Sequence, residues 1–271
     1  MRNKTCLVTG ANSGIGLETA RGLARLDARV VMVCRDQKKG EAARRDIMAT
    51  TGNGKVDLLI ADLASLKSVR KLAEQVNANY PQLHVLIHNA GLMSKHREVS
   101  ADGFEMQFAV HHLAVFLLTD LLLDLLKKSA PARIISVSSM IHKLGKINFD
   151  DLQAERKFGA YRTYGQSKLA MILYTHELAA RLRGTGVTVN ALHPGAVATN
   201  IGMPDWLNLF LATPEQGART TLYLATSPEV ERVTGKYFVN SKEAKSSRAS
   251  HDRDVGGRLW LVSEQLIASV S

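Results

Sequence analysis

A short apolar strand that runs directly into a glycine-rich turn and then a helix is the feature that most constrains this chain. Cys6-Leu7-Val8 is followed by TGANSGIG from Thr9 to Gly16, and a helical pattern continues from there. This layout places backbone N–H groups and the positive end of a helix against a pyrophosphate. Gly10 permits the tight turn, Gly14 lets a phosphate approach, and Gly16 lets the helix pack closely on the strand. We therefore expect dinucleotide binding rather than a merely structural turn.

Apolar, strand-like runs alternate with helical patterns along the rest of the chain. Their content of Val, Ile and Leu is typical of parallel strands covered on both faces. Right-handed crossovers then predict an α/β, doubly wound Rossmann-type domain with a seven-stranded parallel sheet and its ligand at the carboxyl ends of the strands. No linker divides the 271 residues, so we expect a single domain, 1–271. The predicted strands are Thr5–Thr9, Arg29–Cys34, Val56–Ala61, Leu83–His88, Arg133–Val137, Val187–Leu192 and Lys236–Val239, and the predicted helices are Ile15–Leu26, Lys39–Thr50, Ser65–Asn79, Phe104–Lys128, Tyr161–Arg183 and Pro214–Thr226.

Tyr164 and Lys168 lie four residues apart at the start of an apolar helical pattern. On a helix this spacing stacks a phenol beside an ammonium group, and a nearby cation favours the phenolate and so lowers the pKa of the phenol. A phenol whose pKa moves towards neutrality is an effective proton donor. Such pairs also arise by chance on exposed helix faces, so the meaning of this one depends on the motifs around it. Tyr161 is about two helical turns from Lys168 and too far away to take the place of Tyr164.

Five motifs occur in an order that resembles the short-chain dehydrogenase/reductase family. They are the glycine turn, His88-Asn89-Ala90-Gly91, Ser138-Ser139, Tyr164 with Lys168, and His193-Pro194-Gly195. Further stretches resemble the retinol dehydrogenase-like branch, namely Cys34-Arg35-Asp36, TPEQGA from Thr213, YLATSP from Tyr223 and GKYF from Gly235. The resemblance covers almost the whole chain. It implies an oxidoreductase that interconverts an alcohol and an aldehyde or ketone, but it does not name a substrate.

The resemblance assigns chemical roles to three side chains. Tyr164 would be the acid/base that gives a proton to a carbonyl oxygen, and Lys168 would lower the pKa of Tyr164 and bind the ribose of the cofactor. Ser139 would hold the same carbonyl oxygen. The neighbouring Ser138 is expected instead to bond to backbone at the end of its strand. A fixed donor and an aimed acid suit this reaction, because negative charge develops on the oxygen.

The end of the second strand bears on the choice of cofactor. In relatives that bind NAD, an acid at this position binds the ribose hydroxyls, whereas here the position is Cys34 and the next residue is Arg35. A guanidinium group matches a 2′-phosphate with two hydrogen bonds, so NADP(H) is favoured over NAD. The alternative is that Arg35 only pairs with a neighbour such as Asp36.

The resemblance also implies the remaining cofactor contacts. Asp62 and Leu63 would flank the adenine, Asn89-Ala90-Gly91 would line the middle of the cofactor, and Thr199 would meet the nicotinamide carboxamide. Asp62 could instead cap the following helix, although Ser65 fits that cap better. No metal site is expected. The full set of expected cofactor-binding residues is Gly10, Asn12, Ser13, Gly14, Ile15, Gly16, Arg35, Asp62, Leu63, Asn89, Ala90, Gly91, Tyr164, Lys168, Pro194, Gly195, Val197 and Thr199.

One position departs from the family at a catalytic residue. Relatives carry an Asn in the helix after the fourth strand, where it holds a water that connects the catalytic Lys to solvent. The corresponding stretch here is VHHLAVF from Val110 to Phe116, so His111 replaces that Asn. Imidazole can donate and accept a hydrogen bond and titrates near neutrality, so His111 joins the catalytic candidates as a proton relay. The alternative is a neutral core histidine with an impaired relay, and the sequence leaves both open.

The segment 199–213 is expected to cover the substrate. Its apolar residues are Met203, Trp206, Leu207, Leu209, Phe210 and Leu211. They favour a bulky apolar aldehyde, ketone or alcohol as the small-molecule substrate, although an ordinary packed segment would look the same. The leading hypothesis is thus an NADP(H)-dependent carbonyl reductase or alcohol dehydrogenase. The alternative is a catalytically weak or silent NADP(H)-binding sensor or scaffold protein, which would need none of Ser139, Tyr164 and Lys168.

Charge and composition limit the other classes of function. The net charge of +10 is spread over scattered residues without an aromatic-interleaved patch, so we expect a solvated basic surface and no nucleic-acid partner. Cys6 and Cys34 fall in predicted buried strands and show neither disulfide nor metal spacing.

The ends and the apolar helices bear on location and assembly. Only Met1 to Lys4 precede the first predicted strand, so we expect no leader or transmembrane anchor and a cytoplasmic protein. The apolar stretch Leu113 to Leu126 is shorter than the ~20 residues that span a bilayer and is interpreted as a buried helix. The helices predicted at Phe104–Lys128 and Tyr161–Arg183 could form the two-fold interface of a homodimer or homotetramer.

Overall fold

The computed structural model describes residues 1–195 and 212–270. Its strands are β1 (Thr5–Thr9), β2 (Arg29–Cys34), β3 (Val56–Ile60), β4 (Val85–His88), β5 (Ala132–Val137), β6 (Val187–His193), β7 (Lys236–Val239) and β8 (Lys242–Ala244). Its main helices are α1 (Gly14–Arg25), α2 (Gln37–Thr51), α3 (Leu66–Asn79), α4 (Met106–Lys128), α5 (Ala160–Arg181), α6 (Pro214–Thr226) and α7 (Arg253–Ala268). The strands form one sheet in the order β3-β2-β1-β4-β5-β6-β7-β8.

The first seven strands pair in parallel, as the sequence predicts. The strand order reverses between β1 and β4, so a crevice forms where their carboxyl ends diverge. The expected count of seven strands is wrong by one, because β8 pairs antiparallel with β7. Asn240 and Ser241 join these two strands with φ angles of 51° and 60°, which is the left-handed backbone of a two-residue hairpin.

Helices cover both faces of the sheet, and each face has its own apolar core. On one face Leu72 of α3, Leu118 of α4 and Leu173 of α5 join the same cluster, together with Leu259 of α7. On the other face α1, α2 and α6 bury their apolar sides against the strands. The doubly wound α/β architecture is therefore confirmed.

Helix α4 contains a π-helical turn at Ala109–Leu113, between the α-helical stretches Met106–Phe108 and Ala114–Lys128. By length and composition α4 is the one helix among the described residues that could cross a membrane, but 72% of its apolar window is buried inside the protein, as in a core helix. The π turn carries His111 and His112, both of which are buried. Such turns often occur at functional sites because they redirect side chains.

Helix α7 was not predicted, and it packs on the outer side of α4 and α5. The Trp260 ring lies 4.6 Å from the ring of Phe116 and 5.6 Å from that of Tyr174, measured between centroids. The guanidinium of Arg181 lies 3.9 Å from the centroid of the Trp260 ring. Thus α7 covers part of the face expected to form a two-fold interface, and that interface stays a prediction.

Candidate active site

The glycine turn lies at the carboxyl end of β1 and has the predicted geometry. Gly10 has φ +67°, and a Cβ added there would lie 2.9 Å from the Cα of Ala90. A Cβ on Gly16 would lie 2.2 Å from the carbonyl oxygen of Gly10, so only glycine lets α1 approach the turn this closely. Around Gly14, by contrast, no atom lies within 4 Å of an added Cβ. The first and third glycines thus permit close packing, and the second faces open space.

The N-terminus of α1 is left free to bind an anion. Ser13 is its N-cap residue, but its side chain makes no capping hydrogen bond. Asn89 stabilises the start of the glycine turn, because its side-chain amide donates to the carbonyl oxygen of Thr9 at 2.9 Å. The Thr9 hydroxyl accepts from the backbone N–H groups of Asn89 and Ala90. Uncapped N–H groups at a helix N-terminus, next to an open glycine, fit a phosphate.

A cleft of about 700 Å³ runs along the carboxyl ends of the strands. It is lined by almost every expected cofactor residue: Gly10, Asn12, Ser13, Gly14, Ile15, Gly16, Arg35, Asp62, Leu63, Asn89, Ala90, Gly91, Tyr164, Lys168 and Pro194. Gly195 is described but does not line the cleft. Val197, Thr199 and the apolar residues Met203, Trp206, Leu207, Leu209, Phe210 and Leu211 lie outside the described residues. Leu92, Met93 and Val110 also line the cleft and were not predicted from the sequence.

The end of β2 presents a cation rather than an acid to this cleft. The Cys34 thiol is buried, and burial raises its pKa to about 11, so it stays neutral. The exposed guanidinium of Arg35 has no hydrogen bond or ion pair with any described residue. Asp36 does not pair with it, since its carboxylate caps α2 by accepting from the backbone N–H of Lys39 at 3.0 Å. Likewise Ser65, not Asp62, caps α3.

Tyr164 and Lys168 lie at the inner end of the cleft on α5. The Lys168 side chain is 3% exposed, and its Nζ donates to the carbonyl oxygen of Val137 at 3.0 Å and lies 5.6 Å from the centroid of the Tyr164 ring. Burial lowers the pKa of the Lys168 ammonium from 10.5 to about 7.

The pKa of Tyr164 does not follow the sequence expectation. Burial raises the pKa of its phenol above its ordinary value, and the group that opposes this rise is the Ser139 hydroxyl rather than Lys168. The expected lowering of this pKa by Lys168 is therefore wrong for the structure, because the loss of hydration is the larger effect and burial also leaves Lys168 only partly charged.

Two adjacent serines at the end of β5 have separate hydrogen-bond partners. The Ser138 hydroxyl is buried and donates to the carbonyl oxygen of Lys168 at 2.9 Å. The Ser139 oxygen accepts from the backbone N–H of Ile141 at 3.2 Å, which leaves its own proton to donate. Ser138 thus supports the backbone of α5, and Ser139 faces Tyr164 with a free donor.

His111 is fully buried, and both of its ring nitrogens are hydrogen-bonded. Nε2 accepts from the backbone N–H of Leu92 at 3.0 Å, which puts the ring proton on Nδ1. Nδ1 is 2.8 Å from the Ser167 hydroxyl, and that hydroxyl donates to the carbonyl oxygen of Tyr164. Burial, with a smaller effect from Lys168, holds the pKa of His111 well below its usual range. The imidazole is therefore neutral, and its hydrogen bonds lead to backbone groups at both ends.

Two further histidines support the loop that carries Ser139: His142 was missed from the sequence, and His193 was named only as part of the motif His193-Pro194-Gly195. His142 contacts the Ser139 carbonyl oxygen, and His193 Nδ1 accepts from the backbone N–H of Met140 at 3.3 Å. The only sequence signal for this supporting role was the position of the two histidines beside or within predicted motifs. Neither side chain lines the cleft.

Comparisons with known proteins agree with this geometry. The family described as short chain dehydrogenase matches residues 4–208. The chain is 47% identical to retinol dehydrogenase 14 of Homo sapiens, over 98% of this chain and 87% of that protein. It is 45% identical to retinol dehydrogenase 13 of Homo sapiens, over 97% of this chain and 84% of that protein.

Solved structures give the same result. A crystal structure of an uncharacterised protein of Mycobacterium paratuberculosis matches with a TM-score of 0.83 and 36% identity, over 98% of this chain and 94% of the other. A short chain dehydrogenase of Escherichia coli CFT073 complexed with NADPH matches with a TM-score of 0.73 and 27% identity, over 89% of this chain and 98% of the other.

Proposed function

Since the chain belongs to the short-chain dehydrogenase family and is an oxidoreductase of CH–OH or C=O groups, we propose that it uses NADP(H) to interconvert an apolar aldehyde or ketone and its alcohol. The observation that carries this proposal is that Tyr164 and Lys168 line the same cleft as the open glycine turn, and that the Ser139 hydroxyl lies within hydrogen-bonding reach of Tyr164.

The residues of the cleft fit a dinucleotide that carries a 2′-phosphate. The backbone N–H groups at the start of α1 would bind the pyrophosphate, and the unpaired guanidinium of Arg35 would bind the 2′-phosphate with two hydrogen bonds. Asp62 and Leu63 would lie against the adenosine, and Lys168 would donate to a ribose hydroxyl. When bound, the cofactor supplies or accepts the hydride. A relative in fold solved with NADPH supports this assignment.

The proton is handled by Ser139 and Tyr164. In the reducing direction Ser139 donates a hydrogen bond to the carbonyl oxygen of the substrate, and Tyr164 donates its proton to the same oxygen as negative charge develops there. Because burial raises the pKa of Tyr164, the phenol keeps its proton at neutral pH, which is the form that carbonyl reduction requires.

The surroundings of the two catalytic hydroxyls support an apolar substrate. Met140, Leu144 and Tyr161, which are close in sequence to Ser139 and Tyr164, are 53%, 69% and 60% exposed. An apolar substrate bound beside Ser139 and Tyr164 would have these exposed side chains available for contact. Retinal is a reasonable first compound to test, because the similar human proteins carry the name retinol dehydrogenase.

Oxidation of NADPH, followed by its absorbance, tests the proposal with a panel that runs from short to long apolar aldehydes and includes retinal. We expect turnover that increases with the apolar length of the aldehyde. Tyr164→Phe should lose most of this turnover, by roughly 10² or more, while NADPH binding measured by fluorescence stays close to wild type. Wild-type protein that binds NADPH but reduces no carbonyl would favour the sensor or scaffold alternative.

A further inference from the structure

His142 is the only buried side chain of the turn Met140–Leu144, which follows Ser139 directly. Its Nδ1 lies 2.6 Å from the carbonyl oxygen of Ser139. Its Nε2 lies 3.0 Å from the backbone nitrogen of Ser247, more than a hundred residues later in the chain. Because an amide N–H can only donate, Nε2 accepts and the ring proton sits on Nδ1, which donates to Ser139. The imidazole thus bridges two distant backbone segments with one hydrogen bond to each.

The loop of residues 138–144, here the catalytic loop, has two other side-chain anchors: the Ser138 hydroxyl donates to the carbonyl oxygen of Lys168, and His193 Nδ1 accepts from the backbone N–H of Met140. Met140 and Leu144 are exposed, and the Ser139 oxygen accepts from the backbone N–H of Ile141 within the loop. The His142 ring packs against Tyr237 of β7, with 5.1 Å between ring centroids. Burial lowers the pKa of His142, so the ring stays neutral and keeps both hydrogen bonds. Of these anchors, His142 is the side chain that contacts Ser139 itself, so what holds His142 contributes to the position of Ser139.

The far end of the bridge belongs to residues 246–251, here the C-terminal segment, which is fixed independently. Ser250 is buried, and its hydroxyl donates to the carbonyl oxygen of Ser247. On the catalytic helix α5, His176 Nδ1 is 2.8 Å from the Ser250 carbonyl oxygen, and the His176 ring stacks on that of His251. The segment then leads into α7, which packs on α4 and α5.

We propose that His142 is a positioning residue for Ser139 and that it makes the C-terminal segment a working part of the active site. The inference rests on the proposed function, because it assumes that Ser139 holds the reacting oxygen. The bridge fixes the carbonyl of Ser139 against Ser247, so the Ser139 hydroxyl stays aimed at the site where Tyr164 delivers its proton. His142 does not line the cofactor cleft, so loss of the bridge should affect the aim of Ser139 more than the binding of the cofactor.

His142→Ala, His142→Asn and a control, His176→Ala, separate this role from a general loss of stability. The control removes the other histidine that holds the C-terminal segment, but it does not touch Ser139. We expect His142→Ala to lower kcat at least tenfold with the KM for NADPH within twofold of wild type. His142→Asn, whose amide can still donate to Ser139 but cannot reach Ser247, should fall between wild type and His142→Ala. His176→Ala, which loosens the C-terminal segment but leaves the contact of His142 with Ser139 in place, should lower kcat less than His142→Ala does.

A double-mutant cycle with Ser139→Ala tests whether His142 acts through Ser139. If it does, adding His142→Ala to Ser139→Ala lowers kcat no further, since the aimed hydroxyl is already gone. Additive losses, or equal losses in His142→Ala and His176→Ala, would overturn the inference. If His142→Ala does not fold, His142→Asn carries the same cycle. Wild-type protein inactive on every carbonyl refutes the proposed function and this inference with it, whereas an active wild type with an equally active His142 variant refutes only the latter.

Discussion

Replacement of Lys168 by Met should make the protein more stable while it abolishes turnover. The Lys168 ammonium is almost fully buried, and besides the carbonyl oxygen of Val137 its only hydrogen-bond acceptor among the described residues is the weak Sδ of Met171 at 3.7 Å. The protonated group is therefore poorly compensated for its lost hydration, which is why its pKa is lowered to about 7. Met has a similar length and no charge, so it fits the site without this penalty.

The size and the pH dependence follow from linkage. A lowering of the pKa from 10.5 to about 7 corresponds to roughly 4–5 kcal/mol against the folded state at low pH, since one pKa unit is about 1.4 kcal/mol. Between about pH 7 and 10.5 the unfolded chain binds more protons at this site than the folded chain, so wild-type stability rises with pH across this window. Met cannot donate to the carbonyl oxygen of Val137, and the loss of this hydrogen bond destabilises the variant by about 1–3 kcal/mol. The net gain for Lys168→Met is thus about 2 kcal/mol at pH 6, and it should vanish or reverse near pH 10.5.

Urea unfolding of the cofactor-free protein at pH 6 and at pH 9.5 measures this difference. Lys71→Met, at an exposed position of α3, is the matched control and should change stability little at either pH. The reasoning is refuted if Lys168→Met is less stable than wild type at pH 6, or if its difference from wild type is the same at both pH values. Loss of NADPH-dependent turnover in Lys168→Met is expected in either case.

Two further predictions concern the cofactor and the proton path. Arg35→Asp should reverse the preference from NADP to NAD, because it replaces a phosphate ligand with a carboxylate that accepts from ribose hydroxyls. The ratio of kcat/KM for NADPH to kcat/KM for NADH measures this preference, and Lys38→Asp is the control outside the cleft. Equal use of both cofactors by the wild type would count against the role of Arg35. His111→Asn should raise turnover several-fold, because it restores the Asn that relays protons in the family. It should also lower the free energy of unfolding by about 1–2 kcal/mol, because it removes the buried hydrogen bond from the backbone N–H of Leu92. A fall in turnover would mean that His111 itself carries protons.

Strands and helices whose apolar pattern is visible in a short stretch of sequence could be predicted from that sequence alone. Each of the seven predicted strands is present because continuous Val, Ile and Leu runs are buried wherever they lie in such a sheet. Helix α7 was missed because Gly256 and Gly257 stand in its first turns and indicate a loop. Its stability comes from distant contacts of Trp260 and Leu259, which no local window contains. The three residues of β8 are likewise polar or small, and only pairing with β7 makes them a strand.

For the candidate site, the sequence predicted which residues lie close together better than it predicted the direction of their pKa shifts. The spacing of Tyr164 and Lys168 fixes their proximity, since both are on one helix. The direction of each pKa shift depends on how much water is removed, and that is set by residues from other parts of the chain. His142 shows the same limit, because its bridge joins the catalytic loop to Ser247 across the fold.

Gly91 explains how the chain keeps two buried bases at the inner end of the cleft. A Cβ at this position would lie 3.3 Å from Nε2 of His111, which is a tight contact, and 3.5 Å from Nζ of Lys168, which is an ordinary one, so a side chain larger than that of Ala would have little room between them. His111 in turn holds the loop that contains Gly91, because its Nε2 accepts from the backbone N–H of Leu92. The imidazole that stands in place of the family's Asn therefore supports the cleft wall. The lone pair on its Nε2 accepts the Leu92 N–H and is not available to another donor. We therefore expect that His111 holds the loop beside Lys168 and takes no part in proton transfer, which is why the two effects of His111→Asn should have opposite signs.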